Sequence, residues 1–89
     1  MRKIFPSGIF NRDLKRIVRH NCGVAVLYEM IECLRLGKNV PLASKLHKLH
    51  GEYEGCWECH IEFDLLLIWK YDDDDIILVR TGTHADLFE

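Results

Sequence analysis

Imidazole and carboxylate side chains recur through the second half of this sequence at positions where they could share acid–base work. His47 precedes a loop running through Gly51 and Gly55, His60 falls on the polar face of an alternating segment, and His84 follows the last strand signal. Asp64 stands just beyond His60. Imidazole titrates near neutral pH, so one ring can take a proton while another gives one. Spacing alone does not bring these groups together in space, and ordinary surface histidines are the plainer alternative.

A second constellation, Cys56-Trp57-Glu58-Cys59-His60, matches the attachment pattern of c-type haem. Such attachment belongs to exported proteins, whereas Met1-Arg2-Lys3 leads into only Ile4-Phe5 before Pro6, which does not read as an export signal. In an alternating strand the two cysteines would also point to opposite faces. Structural zinc wants four ligands, commonly two spaced pairs, and one CxxC is present; Cys22, Cys33, His47 and His50 show no spacing that completes it. Burial of Cys59 as a small apolar group is the expectation. The run of Asp72 to Asp75 lacks the spaced ligands and turn glycine of a calcium loop, so it is expected to be a solvated hairpin turn. No cofactor and no metal site is expected.

The elements that must position these groups divide at mid-chain. Residues 2–5 form a strand candidate ended by Pro6, and Ser7 can cap a helix over 8–20 whose Phe10, Leu14, Ile17 and Val18 form an apolar stripe. Arg12, Lys15, Arg16 and Arg19 fall together on the other face, a solvated stripe or an anion-binding surface. Asn21 can cap a second helix with Val24, Leu27, Tyr28, Ile31 and Leu34 inward and Gly37 as its stop. The two helices should pair as an antiparallel hairpin. Val40-Pro41-Leu42 leads to a short segment, about one helical turn, ending near His47.

Thereafter the period becomes two. Trp57, Cys59, Ile61 and Phe63 alternate with Glu58, His60, Glu62 and Asp64, a half-buried strand. Residues 65–69 are apolar on both faces and read as a central strand. A third strand over 76–80 is followed by Thr81 to His84 and a short tail. The architecture expected is α+β, two helices on one face of a small, largely antiparallel sheet, as one domain over 1–89.

Composition bounds the function. With 48% hydrophobic residues the chain can build a core and is not of disordered type. No apolar run approaches the roughly 20 residues of a membrane helix, so a soluble cytoplasmic protein is expected. Net charge is −2, but residues 1–50 hold ten Lys and Arg against three Asp and Glu, a charge of +7. Residues 51–89 hold two against eleven, a charge of −9, so a basic face is compatible with an acidic total.

Taken in order, three strings carry a resemblance. They are His47 to Gly51, Glu58 to Trp69, and Arg80-Thr-Gly-Thr-His-Ala-Asp-Leu-Phe88. Together they resemble the YafQ branch of the RelE-type toxins, and the likeness extends over essentially the whole chain. It implies the RelE-like fold and an endoribonuclease that binds the ribosomal A site and cuts mRNA there without a metal. In that reaction the ribose 2′-hydroxyl attacks the adjacent phosphate, leaving a 2′,3′-cyclic phosphate and a 5′-hydroxyl. By motif position the resemblance marks His47, His60, Asp64, His84 and Phe88 as site residues, with Phe88 able to stack on a base. It also implies a cognate antitoxin as partner, alongside the ribosome and mRNA. The charge asymmetry, apart from the resemblance, leads to the expectation that the basic stripe Arg12, Lys15, Arg16 and Arg19 docks on ribosomal RNA.

Some positions depart from the pattern. Trp57 stands where many relatives have an arginine near the scissile phosphate, Leu65 where a tryptophan often follows the Asp, and Lys48 where proline is common. These bear on charge stabilisation and base contacts. His50 is read as a surface residue. The alternative function is a non-catalytic toxin of the same fold that poisons another target, as the gyrase-directed toxins of the superfamily do; three motif-placed imidazoles argue against it.

Overall fold

The computed structural model describes residues 2–20, 23–38, 46–62 and 64–88. Strand β1 (Ile4–Pro6) leads through Ser7 into helix α1 (Gly8–His20), followed by helix α2 (Val24–Arg35). Then come β2 (His47–Lys48), a 3-10 turn (Gly51–Tyr53), β3 (Trp57–Glu62), β4 (Leu65–Asp72), β5 (Asp75–Gly82) and a short helix α3 (His84–Phe88). The five strands lie in the order β1-β5-β4-β3-β2, with β1 parallel to β5 and every other pair antiparallel. The α+β expectation holds, with β1 as the parallel exception. Among the described residues no helix is long and apolar enough to cross a membrane.

Each element follows from local chemistry. Ser7 caps α1 by accepting the Phe10 N–H at 3.0 Å, while its own hydroxyl donates to the Val79 carbonyl and ties the helix start to β5. Alpha-2 ends as expected: Gly37, at φ 73°, donates to Leu34 O, and Lys38 N donates to Cys33 O. At its other end Gly23, at φ 67°, is obligatory, because a Cβ there would stand 2.9 Å from a Leu65 methyl. Asn21, Cys22, Phe63 and the expected segment at 40–42 lie outside the described residues.

Helix α1 lies against β5 and α2 against β3. Those strands flank β4, so the two helices rest on opposite sides of the central strand. Beneath them Phe10, Ile17, Leu27, Met30 and Leu34 bury against Cys59, Leu67, Trp69, Ile76 and Leu78. Two assignments are corrected here. Val18 and Tyr28, expected inward, are about half exposed, and α1 instead buries Asp13, at 2%, between Phe10 and Ile17. Asp13 sits three residues after Phe10 and four before Ile17, on the true inward stripe.

Residues 65–69 are buried on both faces as a central strand should be. Leu65, Leu67 and Trp69 join the helix-side core, whereas Leu66 and Ile68 join Cys56 and Leu87 on the opposite side. Cys56 and Cys59 therefore do lie on opposite faces, both as free thiols. Burial pushes the Cys59 thiol up to about 12, the behaviour of an inert core group. At the far end Asp73 and Asp74 form an exposed turn, while Asp75 begins β5 and accepts the Lys3 N–H.

Two bulges prepare the functional face. Beta-3 carries an extra residue between His60 and Glu62, and β5 carries one between Leu78 and Arg80. Each reverses the side on which the following residue pairs. Glu62 is thereby moved off the His60 face, and Arg80 is turned from the helix-side core toward the opposite edge.

Candidate active site

The sheet face opposite α1 and α2 gathers the histidines. His47, on β2, pairs with Glu58 in the strand register, and its Nε2 lies 2.8 Å from Glu58 Oε1. The Glu58 side chain is 4% exposed, so this imidazole answers an otherwise buried carboxylate. His60 stands two residues further on the same face, its ring centre 6.4 Å from that of His47 and 5.7 Å from that of His84. Three imidazoles thus form one continuous row.

His84 opens α3, which the sequence reading took for a tail. The helix begins with a reciprocal cap: Thr83 N donates to Asp86 Oδ2 at 3.0 Å, and Asp86 N donates to Thr83 Oγ1 at 3.2 Å. That hydrogen bond from Thr83 holds the Asp86 carboxyl below the usual range. The turn into the helix needs Gly82, where a Cβ would come within 3.0 Å of Asp86. Asp64, in the turn after β3, places Oδ1 2.6 Å from Nδ1 of His84. The His84 hydrogen bond lowers the Asp64 pKa, and the charges of His84 and His60 add to the effect. With Nδ1 engaged, Nε2 is the ring nitrogen of this half-exposed imidazole left for proton transfer.

Phe88 follows one helical turn later, its ring centre 6.1 Å from that of His84, and Tyr53 meets Phe88 edge-on at 5.8 Å. The five residues singled out in the sequence, His47, His60, Asp64, His84 and Phe88, are therefore brought together. His50 borders the same region, in a cleft of about 390 Å³ lined also by Tyr53, Arg80, Leu87 and Phe88.

Arg80 is the group that the site reading omitted. Its Nε and Nη2 each lie 2.9 Å from the Asp13 carboxylate, and its Nη1 reaches the Tyr53 hydroxyl at 3.5 Å, the limit of a hydrogen bond. The Asp13 hydrogen bonds raise its pKa further, so it is permanently cationic. Its signals were legible: it opens the third motif string, and α1 carries a lone carboxylate on its apolar stripe.

The departures take a different meaning in three dimensions. Trp57 packs against the helix-side core, across the sheet from His60, with the Lys48 ammonium 6.0 Å over its ring. An arginine there would not reach the imidazole row from that face. Leu65 is buried in the same core and lines a cleft of about 520 Å³ with Ile17, Gly23, Glu62 and Asp64.

Of the basic stripe, Arg12, Lys15 and Arg19 are exposed. Arg16 is not equivalent: its Nη2 lies 3.2 Å from Asp13 and 3.5 Å from Asp86, so it braces α1 against α3.

The profile of one family, the bacterial toxin of type II toxin–antitoxin systems, YafQ, matches residues 2–89. The chain belongs to this family. It is 35% identical over 88 residues to the mRNA interferase toxin YafQ of Escherichia coli strain K12, covering 98% of this chain and 96% of that protein. With the putative toxin YafQ of Haemophilus influenzae it shares 30% identity over 93% of its length and 88% of the relative's. Solved structures agree. The E. coli DinJ–YafQ toxin–antitoxin complex superposes with a TM-score of 0.90 at 32% identity, covering 99% of this chain and 98% of that one. A copper-bound mutant toxin from Helicobacter pylori gives 0.91, also at 32% identity, over 99% and 100%. The RelE-like fold and YafQ membership implied by the three strings are thus established.

Proposed function

We propose that this toxin is a ribosome-dependent mRNA interferase, cutting mRNA in the A site by attack of a ribose 2′-hydroxyl on the adjacent phosphate. The observation that carries the reading is the row His47–His60–His84 on one open face, with Asp64 bonded to the ring at its end. Like its E. coli relative it would be restrained by a cognate antitoxin, and its place of action would be the cytoplasm.

Transesterification needs a base for the 2′-hydroxyl, an acid for the departing 5′ oxygen, and positive charge at the phosphate. His84, oriented by Asp64, and its neighbour His60 are the pair assigned to the two proton transfers. Arg80 supplies the charge, His47, held by Glu58, closes the other end of the row, and Phe88, 47% exposed, offers a face to a base. With those groups in place the chemistry calls on no metal.

What supports ribosome dependence is where the charges lie. Glu58 is engaged by His47 and Glu62 is turned away, so neither repels RNA at the site as the alternation suggests. Glu52, Asp64 and Asp86 do face it and are exposed, while among the described residues the exposed arginines, Arg12 and Arg19, lie on α1 with Lys15. The ribosome would supply the positioning that this shallow face lacks. One mRNA should be cut at least about 10³-fold faster in the A site of a programmed ribosome than free in solution. The same rate should persist with a chelator selective for zinc and copper. Comparable rates on the two substrates would refute ribosome dependence, and loss of activity restored only by added metal would refute the metal-free route.

A further inference from the structure

Asp13 is a buried carboxylate with an unusual load. It accepts from Arg80 Nε and Nη2, both at 2.9 Å, from Arg16 Nη2 at 3.2 Å and from the Thr81 N–H at 3.2 Å. It comes from α1, on the other side of the sheet from the histidines, and reaches Arg80 around the sheet edge. Beta-1 ends its pairing with β5 at Leu78, so the edge at Arg80 carries no strand. The bulge between Leu78 and Arg80 is what turns the guanidinium outward there.

We propose that Asp13 is a positioning residue for catalysis, clamping Arg80 so that its remaining N–H groups face the scissile phosphate. This rests on the mRNA-cleaving function proposed above. A guanidinium has five N–H donors in one plane. Bidentate contact with Asp13 uses two and fixes that plane, and Tyr53 limits Nη1 from the other side. The rest open toward the cleft shared by Tyr53, Phe88 and His50. A flexible arginine would have to be ordered in each turnover, whereas one held in a fork before substrate arrives stabilises developing charge without that cost. Arg16 extends the clamp, since it joins Asp13 to Asp86, the cap of the helix that carries His84. The cation and the imidazole are thereby referred to one buried carboxylate.

The test is a double-mutant cycle in single-turnover cleavage on programmed ribosomes, with ribosome binding measured separately and folding checked by thermal melting. Asp13→Asn should slow the chemical step about 10–100-fold while ribosome affinity stays within about twofold of wild type. Arg80→Ala should cost about 10²–10³-fold, and Asp13→Asn should cost no more than about twofold when added to Arg80→Ala. Full additivity would show that Asp13 acts through stability alone and would overturn the proposal. If Asp13→Asn does not fold, Arg80→Lys decides the matter. A lysine keeps the charge but cannot fork, so its loss should fall within about threefold of that of Arg80→Ala; a lysine variant within twofold of wild type would overturn the clamp. Failure of wild type to cut any programmed codon overturns the mRNA-cleaving function and this role with it, whereas wild-type cleavage with additive losses overturns this role alone.

Discussion

His84→Ala should slow mRNA cleavage on the ribosome by about 10²–10⁴-fold, the range for loss of a positioned general acid or base. The ring ends the row beside His60 and its orientation is fixed by Asp64, so its removal deletes both a proton carrier and the group Asp64 serves. The variant should still fold, because His84 is 53% exposed and the α3 cap is made by Thr83 and Asp86 rather than by the imidazole. The pH dependence has a definite sign. Asp64 has a lowered folded pKa, so its stabilising contact is present above its ordinary pKa and is lost as pH falls through the lowered value. Across pH 5–8 it therefore stays ionised. Asp64→Asn should lower the rate while keeping a bell-shaped profile; a profile that loses one limb altogether would make Asp64 itself the titrating acid or base.

Reversing Arg12, Lys15 and Arg19 together to Glu should weaken ribosome binding by about 30-fold or more at low salt. Each phosphate contact contributes roughly half a logarithmic unit over a fourfold change in salt. The log–log salt dependence should become shallower by about 2 to 3, and the deficit should shrink as salt rises, since wild type loses the same contacts to screening. The chemical step on ribosomes saturated with toxin should be unchanged. Arg16 is left out of the set because its contacts with Asp13 and Asp86 are structural. Binding that ignores the triple reversal would place the docking surface elsewhere.

Most of the fold was legible because its signals are local. The Ser7 cap, the Gly37 stop and the two-faced apolar run at 65–69 each act within a few residues. The α3 helix was equally local, written in the Thr83–Asp86 cap, but its five residues are too few to show a period. Long-range features were not legible. The parallel pairing of β1 with β5 joins residues more than seventy apart, and a bulge shifts a register without leaving any mark in an alternating pattern. Those bulges explain why Glu62 left the His60 face and why the outward turn of Arg80 is not written in the alternation, although its place in the third string is. Val18 reads as inward because it is apolar, although helical spacing from Phe10 favours Asp13. The site histidines were located by motif order, since periodicity shows which face a residue occupies but not its distance from another element.

The central claim is attack by a 2′-hydroxyl in the A site, and the most direct measurement replaces that one group. A programmed ribosome is loaded with an mRNA carrying a single 2′-deoxynucleotide at the cleaved position, beside the all-ribose message, and toxin is added in excess. The all-ribose message should yield a 5′ fragment ending in a 2′,3′-cyclic phosphate and a 3′ fragment with a 5′-hydroxyl, while the deoxy message should stay intact at that bond. Cleavage of the deoxy message at the same bond and at a similar rate would show that water or a protein side chain is the nucleophile, and would contradict the role assigned here to the imidazole row.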